Sequence, residues 1–203
     1  MGRAINGTQD CDLNETFTRY TYVTPDYVLG TFHVGNWRYW LWQMISSQNR
    51  WHGAIFNSHP DARIFFQCSV TPSGNLNYNQ HWSVQSRNAI IVQKLNNNGT
   101  ESTRYAKYAG EMKVWVAAAG RTELLERAGW VFASYGSAHA AIKVLDGGFT
   151  WRNDDDPAFS GQWMVLEKEY SPVVMEVGRA ADFAGFTAFQ DQILANPLTF
   201  SNS

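Results

Sequence analysis

Arg50 and His52 flank Trp51 in SSQNRWHGAIF, residues 46 to 56, and they are the side chains best suited to acid–base and anion chemistry in a chain only 17% charged. Strand alternation sends Arg50, His52, Ala54 and Phe56 to one side and Trp51, Gly53 and Ile55 to the other, so Arg50 and His52 stand about 7 Å apart. In YVLGTFHV, residues 27 to 34, the side chains of Tyr27, Thr31 and His33 share a face for the same reason. Pairing of these two strands would gather Tyr27, His33, Arg50 and His52 on one outward surface. Such a set suits β-elimination on a uronate: a cation neutralises the carboxylate, a neutral histidine or tyrosine takes the C5 proton, and a tyrosine protonates the departing oxygen. The competing expectation is that Arg50 and His52 simply cover the solvent face of a sheet, with Tyr27 packed at its rim.

Large rings lie close to these residues. Trp37, Trp42 and Trp51 are candidates for an aromatic platform, and His81 beside Trp82 in NQHWSV is a further candidate sugar contact, because rings give wide contact area at low entropy cost. His139 shares a strand face with Lys143, which predicts solvent exposure, and His59 in SHPDAR reads as a turn residue. Asp154, Asp155 and Asp156 lack the regular alternation of a calcium loop and read as a solvated turn. The carboxylates cluster in turns rather than flanking a common cleft, which argues against glycoside hydrolysis. With no Gly-rich phosphate loop, paired CxxC or GxSxG elbow, nucleotide binding, a cysteine-based zinc site and the usual serine hydrolase are not expected. Neither a metal nor a cofactor is expected.

The elements that must position these residues are mostly strands. Twelve short runs rich in β-branched and aromatic residues are separated by Gly, Asn, Asp or Pro clusters: FTRYTYV, YVLGTFHV, RWHGAIF, ARIFFQC, HWSVQ, NAIIVQKL, MKVWVAA, GWVFASY, HAAIKVL, GGFTW, QWMVLEK and SPVVMEV. That number suits two packed antiparallel layers, a supersandwich-like all-β fold. Two segments break the rhythm. DFAGFTAFQDQILANP spaces Phe186, Phe189 and Ile193 as on a helix over 182–195, with Asp182 as N-cap. NWRYWLWQMISS predicts a helical insert over 37–45 with rings on both faces, a seat for a missing helical domain or for a second copy of the chain. Residues 1–16 read as a flexible amino-terminal segment and 17–203 as one domain.

Sixteen basic against eighteen acidic side chains leave no electrostatic footprint for nucleic acid or an anionic membrane. No apolar run is long enough to span a bilayer, and no signal-peptide h-region is visible. Cys68 alternates with Ala62, Ile64 and Phe66 and reads as a buried thiol, although a bridge to Cys11 is open. Sequons at Asn6, Asn14 and Asn98 carry little weight in a chain so rich in Asn, Ser and Thr. The localisation expected is secreted or periplasmic.

The runs GWVFASYGSAHAAIKVLDGGFTW, TYVTPDYVLGTF and SSQNRWHGAIF, within a span of roughly residues 17 to 197, resemble the β-sandwich half of heparinase II/III-like polysaccharide lyases. The resemblance implies an acidic polysaccharide as ligand and a site in the cleft between sandwich and a preceding helical toroid. It also implies that the sandwich contributes a histidine, for which His52 and then His33 are the positions here. No toroid fits in this chain. The expectation is therefore an accessory, polysaccharide-binding sandwich, with a self-sufficient lyase and a structural docking or oligomerisation module as alternatives.

Overall fold

A computed structural model describes residues 3–11, 15–34, 52–68, 81–94, 111–196 and 198–200. They form an all-β sandwich of two sheets with a carboxy-terminal helix, and every strand pairing among them is antiparallel. The larger sheet comprises β1 (Arg3–Cys11), β2 (Glu15–Val23), β3 (Tyr27–Val34), β4 (Gly53–Phe56), β5 (Arg63–Cys68), β8 (Met112–Ala117), β13 (Gly161–Leu166) and β12 (Phe149–Asn153), in that spatial order. The smaller sheet runs β6 (His81–Ser86), β7 (Ala89–Lys94), β14 (Val173–Arg179), β11 (Ala138–Val144), β10 (Trp130–Ser134) and β9 (Glu123–Arg127). The chain passes from one sheet to the other after β5, β7, β8, β11 and β13, so neither sheet is contiguous in sequence.

Each of the twelve runs read as strands in the sequence overlaps a strand, RWHGAIF through Gly53–Phe56 only. Two more strands are present among the described residues. Residues 3–11, assigned in the sequence to a flexible leader, form β1 and pair with β2 from Arg3 opposite Val23 to Cys11 opposite Glu15. Backbone pairing to the strongly β-prone ETFTRYTYV overrides the Asn and Gly of the leader. The run ELLER forms β9 despite its helix-favouring composition, because its backbone pairs with the buried β10. The helical insert expected over 37–45 lies outside the described residues, as do Trp37, Trp42, Arg50 and Trp51; so do the Cys11 and Cys68 side chains.

Alternation builds the core. Leu29, Ala54, Phe56, Ile64, Phe66, Val114 and Val116 from the larger sheet meet Ile90, Val92, Val131, Ala133, Ala140, Ile142, Met175 and Val177 from the smaller. Two tyrosines stitch the layers in opposite directions. Tyr27 of β3 donates its hydroxyl to Val177 O at 3.2 Å, and Tyr135, which follows β10, donates to Ala117 O at 2.7 Å. The Tyr135 ring also stacks on Phe56 with centroids 4.1 Å apart. Where β3 approaches β6, Gln85 accepts from the Thr31 hydroxyl and donates to Leu29 O, so the half-buried amide is used on both sides. Lys94, on the inward face of β7, pairs with Glu169.

The helix α1 spans Phe186–Ala195 and is shorter than the sequence pattern predicted. Ala180–Asp182 form a separate 3₁₀ turn, which the Phe183 N–H closes by donating to Ala180 O. Gly185, at φ 129°, is the N-cap in place of Asp182, a conformation that a side chain would resist. Phe189 and Ile193 then pack on Trp130, Phe132, Ala141 and Val174, on the outer side of the smaller sheet.

Candidate functional site

The strands carrying the expected cluster do pair. Tyr27 stands opposite Phe56, and Leu29 opposite Ala54, with β4 continuing into β5 through Ala54 opposite Ile64. The face is the inner one. His52 is 1% exposed and Tyr27 3%, so both belong to the interior rather than to an outward patch. The physical reason was present in the alternation itself: His52 shares its parity with Ala54 and Phe56, and the hydrophobic members of a strand face decide which way it turns. Ile55, on the opposite face, is 44% exposed. The His52 carbonyl accepts the Phe66 N–H, which continues the β4–β5 ladder one residue beyond the strand.

Tyr27 is a structural donor. Burial, reinforced by Tyr22, Asp182 and Asp26, pushes its phenol far above the ordinary tyrosine range, so it stays protonated and holds Val177 O. A base for C5 deprotonation is not available from it. The backbone of His33 lies in β3 opposite Thr18, and that of His81 in β6 opposite Lys94 with Trp82 opposite Gln93; their side chains lie outside the described residues. His59 is the turn residue expected, its Nδ1 accepting the Asp61 N–H. His139 is not exposed as expected: it does share a face with Lys143, but α1 covers that part of the sheet.

A different surface brings chemistry-bearing side chains together. On the outer side of the larger sheet, Phe65, Trp115, Trp163 and Arg152 lie directly opposite one another across β5, β8, β13 and β12. Beside this row runs a second, Gln67, Lys113, Val165 and Thr150, set by the same registers. The rings are packed as a floor: Phe65 meets Trp163 edge-on at 5.5 Å, and Trp115 lies 5.0 Å from Trp163. The Trp115 indole can lie against β13 because Gly161, opposite Ala117, has no side chain: a Cβ there would fall 2.5 Å from the indole.

Polar groups are fixed around that floor. Arg152 grips Glu111 through two bonds of 2.7 and 2.6 Å, a bidentate fork that fixes both planes. This hydrogen bonding holds the Glu111 carboxyl below its ordinary value and the guanidinium above its own. The Lys113 ammonium lies 3.9 Å from the Trp163 ring centroid. Burial, and then the adjacent Arg152, shifts the Lys113 amine downward. Asp154 accepts from the Asp156 N–H and from the Trp163 indole, and these bonds lower its carboxyl. The result is an exposed lip of planar and charged groups on rigid supports, with Arg152 and Glu111 at 45% and 43% exposure. It can exchange hydrogen bonds with a hydroxyl-bearing ligand without reorganising.

No family model, curated protein or solved structure matches the chain. Among the described residues no cluster of His, Cys, Asp or Glu has the geometry to hold a metal ion, and no helix is long and apolar enough to cross a membrane. Fold and surface together therefore define the molecule as a two-sheet β-sandwich carrying a charged lip on an indole floor. Sequence reasoning did not find that lip. Its four strands were recognised, and alternation sets Lys113 and Trp115 against Met112, Val114 and Val116. What was lacking was the β8–β13 register, a pairing of segments far apart in the chain.

Proposed function

We propose that the chain is a non-catalytic β-sandwich module that binds a polysaccharide on the lip formed by Lys113, Arg152, Glu111 and Asp154. The observation that carries this reading is the Arg152–Glu111 fork held beside Lys113 over Trp163. Planar, paired polar groups on a rigid aromatic base suit the dense donor and acceptor pattern of sugar hydroxyls. The indoles are floor rather than stacking platform, since Trp115 and Trp163 are only 4% and 5% exposed. Specificity falls to the polar groups.

Charge directs the choice of glycan. Lys113 and Arg152 stand against Glu111, Asp154 and Asp155, so the lip has no cationic excess to attract a polyuronate. A neutral, hydroxyl-rich chain is the better match than the acidic one implied by resemblance. Cleavage by β-elimination finds no support in Tyr27 and His52, which are interior groups.

Titration calorimetry against neutral and acidic glycans tests the reading. Binding of a neutral glycan should weaken at least about tenfold in Arg152→Ala, the loss of one charged fork, with the unfolding midpoint little changed. Failure of every glycan to bind, or undiminished binding by Arg152→Ala, refutes it and favours the docking alternative.

A further inference from the structure

His139 occupies the outer face of β11, opposite Ser134 of β10 and Gly178 of β14. It is 4% exposed. Its Nδ1 lies 3.1 Å from the Ser134 hydroxyl, whereas its Nε2 is buried without a hydrogen-bond partner among the described residues. Three phenylalanines from the carboxy-terminal segment enclose the ring, with centroids at 4.9 Å for Phe186, 5.5 Å for Phe189 and 6.4 Å for Phe183. Gly178 makes room for this cage: a Cβ there would fall 2.6 Å from Phe183 and 3.1 Å from Phe189.

A buried polar atom without a partner is costly, and a histidine is the side chain that can turn that cost into a pH response. We propose that His139 is a pH-sensitive latch for the carboxy-terminal helix: protonation places an unsatisfied N–H and a charge inside the phenylalanine cage, and residues 183–195 undock from the sheet. The neutral imidazole packs as one more ring among the three. The protonated one needs an acceptor at Nε2 that the cage does not supply. Phenylalanine is a weak cation–π partner and does not replace lost hydration.

The groups facing the ring are Ser134 from β10, Gly178 from β14, Phe186 and Phe189 from α1 and Phe183 before it, and the titratable groups on the same outer face are Glu123 of β9, Lys143 of β11 and Glu176 of β14, whose carboxyl burial raises. Glu123 of β9, opposite Ser134, is the charged group that favours the imidazolium, and burial outweighs it, so the pKa is displaced downward. A depressed value in the docked state means that the undocked state binds the proton more readily. Docking is therefore at full strength above the ordinary histidine value near 6.5 and weakens as pH falls below it. Opening should rise about tenfold per pH unit until the docked-state value is reached. This inference is independent of glycan binding, which uses the other sheet.

Amide hydrogen exchange on the full chain at pH 7.5 and 5.5, corrected for intrinsic rates, reads the latch. Opening of 186–195 should rise about tenfold at the lower pH while amides of β10, β11 and β14 stay protected, and His139→Leu should abolish the response. Unchanged helix protection, or the same response in His139→Leu, overturns the proposal. Should that variant not fold, the imidazole titration of His139 followed by NMR in the natural chain decides: a value below the ordinary one that coincides with helix opening supports the latch, and one at or above it overturns it.

Discussion

Removing the Tyr135 hydroxyl tests how the two layers are held. Tyr135→Phe keeps the ring stacked on Phe56 and deletes only the 2.7 Å bond to Ala117 O, in a side chain with no solvent exposure. Losing a buried neutral hydrogen bond costs about 1–2 kcal/mol. In a chain of this size, that corresponds to about 2–8 °C in the unfolding midpoint. The matching change at Tyr27 should cost less, about 0.5–1 kcal/mol. Its bond is longer, at 3.2 Å, and Val177 O also accepts from the Asn88 amide at 3.0 Å, so the carbonyl keeps a partner. Urea unfolding monitored by tryptophan fluorescence at neutral pH measures both, with an unchanged slope as the sign that only stability moved. Alkaline pH adds an independent check. Burial raises both phenols above their ordinary value, so the stability they confer is complete below pH 10 and is lost as pH rises beyond it. Each Tyr→Phe variant should remove one phenol that ionises only on unfolding. A Tyr27→Phe penalty equal to or larger than that of Tyr135→Phe would refute the account of the clamp.

Three further substitutions examine the register and the floor. Ala54→Asp places a carboxylate at a fully buried position and should prevent folding, whereas Ile55→Lys on the opposite face should stay within about 0.5 kcal/mol of the natural chain by thermal unfolding. Equal tolerance at both sites would contradict the inward assignment of the His52 face. Gly161→Ala should cost about 1–3 kcal/mol in urea by pressing on Trp115 and should perturb tryptophan fluorescence; a silent substitution would mean that the indole does not lie against β13.

The strand content was legible because alternation and turn residues are local signals. MKVWVAA, HAAIKVL and SPVVMEV announce themselves, and Gly136 and Gly147, both at positive φ, sit in the glycine-bearing connections SYGSA and LDGG between strands. What local pattern could not supply was the use of each face. His52 and Tyr27 were read as outward because they are polar, yet Ala54, Phe56 and Leu29 fix their parity inward. His139 was read as exposed from its neighbour Lys143, but a helix that begins nearly fifty residues later lies over it. β9 was missed because ELLER has no apolar alternation, only a partner strand. The lip escaped notice for the same reason, since Arg152, Trp163 and Trp115 become neighbours only through pairing.

The position of β14 between β7 and β11 has a bearing on synthesis. A ribosome delivers the other members of the smaller sheet well before residues 173–179 emerge, and until then two apolar strands wait with their hydrogen-bonding edges unpaired. Of the strands described, the keystone is the last to be made. Truncation upstream of Val173 should thus leave an aggregation-prone product rather than a smaller stable sandwich.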